Sequence, residues 1–147
     1  MSTFLLDVNV LLALADPMHI HHDAAHTWFA ATGHASWATC PLTENGFVRV
    51  AGHPAYPNRF GSAGATLDLL RRFCSHPSHT FWPDNVSLRD LLAAEAAATH
   101  NQVTDLYLLG LALHHGGKLA TFDRAIPVTT IAGGADALAL LDAAPWM

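Results

Sequence analysis

The stretch Ser2–Pro17, STFLLDVNVLLALADP, is an apolar run with an aspartate and an asparagine in its middle. Thr3–Leu6 is short and apolar, which predicts a buried strand. Asn9–Ala15 is rich in leucine and alanine and is followed by Asp16-Pro17, which predicts a helix that ends there. A buried carboxylate is costly without a partner. Asp7 is therefore expected either at the strand end, where a site begins, or at the N-cap of the helix.

The rest of the chain alternates between short apolar segments and segments with helical spacing. The predicted strands are Ala35–Cys40, His79–Pro83, Lys118–Thr121 and Pro127–Ile131. The predicted helices are His22–Ala31, Pro41–Val50, Thr66–Phe73, a helix capped by Asn85 or Ser87 that runs through Ala98, Thr104–His115 and Ala135–Asp142. This alternation predicts an α/β fold with a short, mostly parallel central sheet. We find no repeat or linker, which predicts a single domain over residues 1–147.

Length and composition indicate a globular protein with a hydrophobic core. Of the 147 residues, 51% are hydrophobic and 13% are charged, which excludes a disordered chain. The two cysteines, Cys40 and Cys74, are too few for a disulfide framework and predict free thiols. We expect a cytoplasmic protein because the sequence has no recognisable signal peptide or membrane span. The net charge of −5 means that binding a nucleic acid would require a bound cation or a local basic patch.

Four acidic residues fall where a parallel sheet would bring them together. Asp7 follows the first strand, and Asp123 comes just after the strand that ends at Thr121. Glu44 and Asp105 lie in the first turns of predicted helices. Ligands of α/β proteins bind outside the carboxyl ends of the strands, so these four side chains are expected at one rim. Taken singly, each also fits a structural role as a helix cap, a first-turn acid or a turn residue.

A group of carboxylates this close together needs a positive counter-charge, because like charges raise one another's pKa. Oxygen ligands without a required cysteine or histidine favour Mg²⁺ or Mn²⁺ over zinc. Such an ion would also supply the positive charge that an acidic protein needs in order to meet a phosphate. The pattern therefore predicts a metal site built from carboxylates.

Three stretches together resemble the PIN-domain ribonucleases, and within them most closely the VapC-type toxins of bacterial toxin–antitoxin pairs. The stretches are LLDVNVLLALADPMHIHH (5–22), LTENGFVRV (42–50) and VTDLYLLGLALHHGGKLATFDRAI (103–126). The resemblance implies a three-layer α/β/α fold and a Mg²⁺ site, with Mn²⁺ as an alternative, in an endoribonuclease that leaves 5′-phosphate ends. It also implies an RNA substrate, a cognate antitoxin and a second copy of the chain as partners.

The resemblance assigns roles to particular residues of this sequence. The catalytic and metal-binding acids would be Asp7, Glu44, Asp105 and Asp123. Asn9 occupies a small polar position of the first motif, and Thr121 a hydroxyl position before the last acid, so that both would support the ligands. Phosphate contacts would come from the arginines, with Arg124 the best placed of Arg49, Arg59, Arg71, Arg72 and Arg124.

Other functions were weighed against this one. A catalytically inactive PIN-type RNA-binding or scaffold domain is one alternative, although such domains usually lack one or more of the acids. A haloacid-dehalogenase-type phosphatase would carry a second aspartate two residues after the first, where this chain has Asn9. A phospho-acceptor receiver domain would require an acidic pair that is missing here. The histidines of MHIHHDAAH (18–26) could bind zinc or nickel, or serve as surface and packing residues.

Overall fold

In a computed structural model of the chain, residues 2–58, 61–93 and 98–142 are described. The strands are β1 (Phe4–Leu6), β2 (Trp37–Thr39), β3 (His79–Phe81), β4 (Lys118–Thr121) and β5 (Leu138–Leu140). The α-helices are α1 (Val8–Ala15), α2 (His22–Ala31), α3 (Pro41–Ala51), α4 (Ala63–Cys74), α5 (Leu88–Leu91) and α6 (Val103–His114). Short 3₁₀ helices cover Gly33–Ala35, His100–Gln102 and Val128–Thr130.

The strands form one sheet in the order β3-β2-β1-β4-β5, and all of its neighbouring strands pair in parallel. β1 is central, with Leu5 opposite Ala38 of β2 and Leu119 of β4. Because every strand runs in the same direction, all carboxyl ends lie along one rim of the sheet. The predicted α/β fold with a parallel sheet is confirmed.

Side chains that alternate along the strands build a separate core on each face of the sheet. Leu5 and Leu119 pack with the leucines of α6, which is buried on most sides. Leu6 and Ala120 pack on the opposite face with residues of α1, α3 and α4, among them Phe47. Successive side chains of a strand point to opposite faces, which accounts for the two cores. The result is a three-layer α/β/α arrangement.

Two predictions near the C-terminal end were wrong. Pro127–Ile131 was predicted as a strand but contains the 3₁₀ helix Val128–Thr130. Ala135–Asp142 was predicted as a helix but contains β5, whose ends are held by Leu119 N donating to Ala137 O and Leu141 N donating to Thr121 O. The free edge of β4 offers a full set of backbone partners, and this pairing outweighs the helix propensity of an alanine- and leucine-rich segment.

The predicted helix before α6 is shorter than expected. Ser87, one of the two predicted caps, is the N-cap of α5 and accepts a hydrogen bond from Arg89 N. The helix ends at Leu91 instead of continuing to Ala98. Residues 94–97 of the prediction lie outside the described residues, as does Arg59.

The histidines after α1 contact the end of that helix. His22 Nδ1 lies 2.7 Å from Ala13 O, and His26 Nε2 lies 2.9 Å from Leu14 O. These carbonyls belong to the last turn of α1, where a helix leaves its acceptors without intrahelical donors. The arrangement favours the packing role of these histidines over a metal site.

Asp16 is an example of a buried carboxylate whose role is structural. It is only 1% exposed, and its oxygens accept hydrogen bonds from Tyr56 OH (2.7 Å), Asn58 Nδ2 (2.9 Å) and Met18 N (2.9 Å). Burial alone would raise the pKa of Asp16, but these donors outweigh it and the pKa is lowered. Asp16 therefore fastens the loop after α3 to the end of α1.

None of the described helices is long and apolar enough to cross a bilayer.

Candidate active site

Asp7 lies at the carboxyl end of the central strand and is 7% exposed. Its backbone N donates to Ala120 O of β4, which fixes the residue between the two strands. Its Oδ1 accepts a hydrogen bond of 2.7 Å from Val8 N, so the side chain also caps α1. Asp7 therefore occupies both positions that the sequence left open, since it follows the strand and is also the N-cap of the helix. Its second oxygen, Oδ2, faces the end of β4.

The hydroxyl of Thr121, the last residue of β4, connects several residues of the site. It donates to Asp7 Oδ2 at 2.8 Å and accepts from Asn9 Nδ2 at 3.0 Å and from Asp123 N at 3.1 Å. A threonine hydroxyl has one hydrogen and two lone pairs, so these contacts use its full capacity. Asn9 Oδ1 also accepts from Phe122 N, which ties α1 to the segment after β4. The Asp7 carboxylate is thereby held in one orientation.

Asp123 and Asp105 complete a group with Asp7, which we call the aspartate cluster. Asp123 follows β4, and its Oδ1 accepts from Ala125 N at 2.8 Å in a local turn. Asp105 lies in the first turn of α6, a helix that packs against β1 and β4. Its carboxyl interacts with the charges of both other aspartates and shares a hydrogen bond with Asp123.

The surroundings of Asp7 and Asp105 change the protonation of these two residues. Burial raises the pKa of Asp7, and the charge of Asp123 raises it further, although hydrogen bonds from Thr121 and Val8 N act in the opposite direction. Burial, the charges of Asp7 and Asp123, and the hydrogen bond to Asp123 together raise the pKa of Asp105 to about 7. Near neutral pH the cluster therefore keeps a proton that separated aspartates would have lost.

No cation of the described chain compensates this charge. Among the described residues the only ion pair joins Arg71 to Asp68, far along the sequence from the cluster. Carboxylate oxygens with an unmet need for positive charge, and without a nearby thiol or imidazole ligand, suit a hard divalent ion such as Mg²⁺ or Mn²⁺. The chemistry of the three carboxylates therefore suits the metal that the sequence predicts, although among the described residues only Glu44, Cys74 and His79 have ligand atoms already within 4.8 Å of one another.

Glu44 lies in a different set of contacts. Its Oε2 accepts a hydrogen bond of 2.7 Å from the buried Thr39 hydroxyl, at the end of β2. The same hydroxyl lies 2.7 Å from His79 Nε2 and 3.9 Å from Cys74 Sγ. Within the described residues, no hydrogen bond links Glu44 to the aspartate cluster. Its place among the metal ligands stays a prediction.

The sequence analysis did not connect Cys74 and His79 with Glu44. Cys74 ends α4 and His79 begins β3, so that only a short turn separates the two residues. A cysteine followed five positions later by a histidine, across a helix end and a strand start, was the available signal. Both cysteines are free thiols, as predicted.

The parallel α/β/α fold, with Asp7 and Asp123 following its central strands and Asp105 at the start of α6, agrees with the comparison with known families. Residues 4–131 match the PIN domain, and the chain belongs to the PIN-domain family. Within this family it groups with the VapC ribonucleases.

Several VapC proteins of Mycobacterium tuberculosis are similar over most of their length. Ribonuclease VapC44 is 44% identical over 131 residues, which cover 88% of this chain and 92% of the relative. Ribonuclease VapC39 is 41% identical over 133 residues, which cover 89% and 96%. Ribonuclease VapC38 is 45% identical over 123 residues, which cover 83% and 86%.

A solved structure supports the fold. The crystal structure of FitAcB from Neisseria gonorrhoeae matches with a TM-score of 0.58 and 20% sequence identity, over 97% of this chain and 98% of that chain. At this identity the likeness concerns the fold alone.

Proposed function

We propose that this protein is a Mg²⁺-dependent endoribonuclease, the toxin component of a type II toxin–antitoxin pair. The observation that supports the proposal is the aspartate cluster: the charges of Asp7, Asp105 and Asp123 interact in a chain with a PIN-domain fold, and the pKa values of Asp7 and Asp105 are raised. Their charge is not balanced by a described lysine or arginine. The names of the VapC relatives support RNA as the substrate.

Asp7, Asp105 and Asp123 would hold the ion, and Glu44 would join them directly, through a water, or as a proton acceptor. A bound Mg²⁺ supplies positive charge to the phosphate oxygens and lowers the pKa of an attacking water. The residues of the chain orient the metal ligands and control the protonation of the carboxylates. Thr121 and Val8 N hold the Asp7 oxygens in place, and the shared proton of Asp105 has to leave before all the carboxylates can act as ligands.

Two features beside the cluster suit an RNA chain. Arg124 is exposed, directly follows Asp123 and forms no ion pair among the described residues, so it is available to a phosphate. A cleft at the start of α6 is lined by Thr104 and Tyr107, among others. An aromatic ring at such a position can stack on an unpaired base.

Replacing Thr121 by valine tests the support of the Asp7 carboxylate. Valine keeps the shape but removes the hydroxyl that contacts Asp7, Asn9 and Asp123. We expect the Mg²⁺ concentration for half-maximal cleavage to rise about 10- to 100-fold, as for other partners that orient metal ligands. A purely structural role would lower the melting temperature without moving the Mg²⁺ dependence, so both quantities are measured.

Incubation of the purified chain with mixed RNA tests the proposal itself. We expect cleavage with Mg²⁺, its loss in excess EDTA and recovery on addition of Mg²⁺, with 5′-phosphates on the new ends. Binding of RNA without cleavage in Mg²⁺ would instead support the inactive RNA-binding domain. Sequencing of 5′-phosphate ends after brief expression in cells would identify the target RNA.

The proposal also includes the partners. We infer a cognate antitoxin from the similarity to VapC proteins, with an arginine that competes with the metal for the carboxylates. A homodimer, a single PIN domain over residues 1–147 and a cytoplasmic location belong to the same proposal. Co-expression with the antitoxin should reduce RNA cleavage, whereas unchanged cleavage in a stable complex would contradict inhibition at this site.

A further inference from the structure

A second group of metal-ligating side chains lies outside the aspartate cluster. It consists of Glu44 from the first turn of α3, Cys74 at the end of α4 and His79 at the start of β3. One ligand atom from each residue lies within 4.8 Å of the ligand atoms of the other two. All three residues are half-buried, so the group is fixed by its surroundings and still open to small solutes.

The Thr39 hydroxyl arranges these side chains. It donates its hydrogen to Glu44 Oε2 at 2.7 Å, and therefore accepts from His79 Nε2 at 2.7 Å. Cys74 Sγ lies 3.9 Å from the same hydroxyl, and Thr39 itself is fully buried. The rings of Trp37 and His79 pack in an edge-to-face arrangement, with centroids 4.8 Å apart. The three ligands thus converge around one buried anchor, before any ion is bound.

We propose that Glu44, Cys74 and His79 form a binding site for a divalent transition-metal ion of the zinc class, distinct from the aspartate cluster. An ion bound here occupies Glu44, which is then not a ligand of the Mg²⁺ site. A thiolate, an imidazole and a carboxylate are the donors that zinc takes, and three protein ligands leave the fourth tetrahedral position to water. Mg²⁺ is selected against because a thiolate is too soft a ligand for it. Binding releases the Cys74 thiol proton to solvent, and His79 binds as neutral imidazole, exchanging its contact with Thr39 for the ion.

The histidines near the N-terminus are weaker competitors for the same ion. His22 and His26 already contact the carbonyls of α1 through one ring nitrogen each, and no thiol accompanies them. The aspartate cluster also lacks sulfur. A spectroscopic signal from a metal–thiolate bond therefore distinguishes the proposed site from both.

Cobalt titration of the full chain tests the site. Co²⁺ takes the place of Zn²⁺, and a tetrahedral Co²⁺–thiolate site gives a near-ultraviolet charge-transfer band together with visible bands. We expect these bands to saturate at one equivalent, and to disappear when Zn²⁺ is added. Cys74→Ser should abolish the charge-transfer band, and His79→Gln should weaken binding at least about 10-fold. Cys40→Ser is the matched control, because Cys40 is a buried thiol outside the group, and should keep the bands.

A thermal shift gives a second measurement that does not depend on RNA cleavage. Zn²⁺ joins α3, α4 and β3, so it should raise the melting temperature of the wild-type chain and of Cys40→Ser, and leave Cys74→Ser and His79→Gln unchanged. Metal-free melting of each variant shows whether it is folded. Cobalt binding without a thiolate band, or a zinc-induced shift that persists in both Cys74→Ser and His79→Gln, would overturn the site and leave the ribonuclease proposal untouched.

Discussion

Asp7→Asn is expected to lower Mg²⁺-supported RNA cleavage by on the order of 10²- to 10³-fold while the chain stays folded. Asparagine can still cap α1, because its side-chain oxygen can accept from Val8 N as Asp7 Oδ1 does. The pKa of the Asp7 carboxyl is raised because burial disfavours its charged form. Replacing it by a neutral amide therefore costs the folded state little stability. What is lost is a negative ligand at the centre of the cluster. The measurement is the cleavage rate at saturating Mg²⁺, together with the melting temperature.

Asp16→Asn is the matched control for this substitution. Asp16 is also a buried aspartate with several hydrogen-bond donors, but it holds a loop instead of belonging to the cluster. Its replacement should lower the melting temperature and leave the cleavage rate of the folded fraction near that of wild type. If Asp7→Asn and Asp16→Asn changed the rate equally, the assignment of Asp7 as a metal ligand would be wrong.

The second large effect is a dependence of metal binding on pH. The pKa of Asp105 is about 7, so below this value a proton competes with the ion for the cluster. We expect the affinity for Mg²⁺ to fall by about 10-fold per pH unit below the pKa and to level off above it. The measurement is the Mg²⁺ concentration for half-maximal cleavage between about pH 5.5 and 8.5. An affinity independent of pH across this range would contradict the shared proton.

The same pKa values set the sign of the stability change in the metal-free protein. Asp7 and Asp105 have raised pKa values, so the folded state binds more protons than the unfolded state above the ordinary pKa of an aspartate. Their contribution to the free energy of unfolding is therefore largest at low pH and is lost as the pH rises through about 7. Asp105→Asn should flatten this dependence, and saturating Mg²⁺ should restore stability at high pH.

The central part of the fold could be predicted because local sequence signals agree with the final contacts. The apolar Thr3–Leu6 and the leucine-rich segment after Asp7 give a strand and a helix in the structure, within a residue of the predicted bounds. The α6 helix is apolar on most sides, which indicated a buried position, and Asp105 in its first turn was expected at the rim. In a parallel sheet, strand order matters less than strand direction for bringing such residues to one edge.

The remaining parts depend on contacts that are distant in sequence. β5 exists because Leu138–Leu140 completes the edge of β4, and local propensity for helix gave the wrong result there. The hydrogen bond from Thr121 to Asp7 joins residues 114 positions apart, and neither of the two sequence motifs predicts its geometry. Likewise, Glu44 was expected beside the aspartates, whereas its contacts with Thr39, Cys74 and His79 follow from how β2 and β3 pair.

Binding of Mn²⁺ to the metal-depleted chain at about pH 8 tests the metal-binding role of the aspartate cluster most directly. Free Mn²⁺ has an electron paramagnetic resonance signal that is lost on binding, so bound ions can be counted. We predict binding that is weakened at least about 10-fold in both Asp7→Asn and Asp105→Asn and is unchanged in Asp68→Asn, an exposed aspartate outside the cluster. Equal Mn²⁺ affinity in wild type, Asp7→Asn and Asp105→Asn would contradict it.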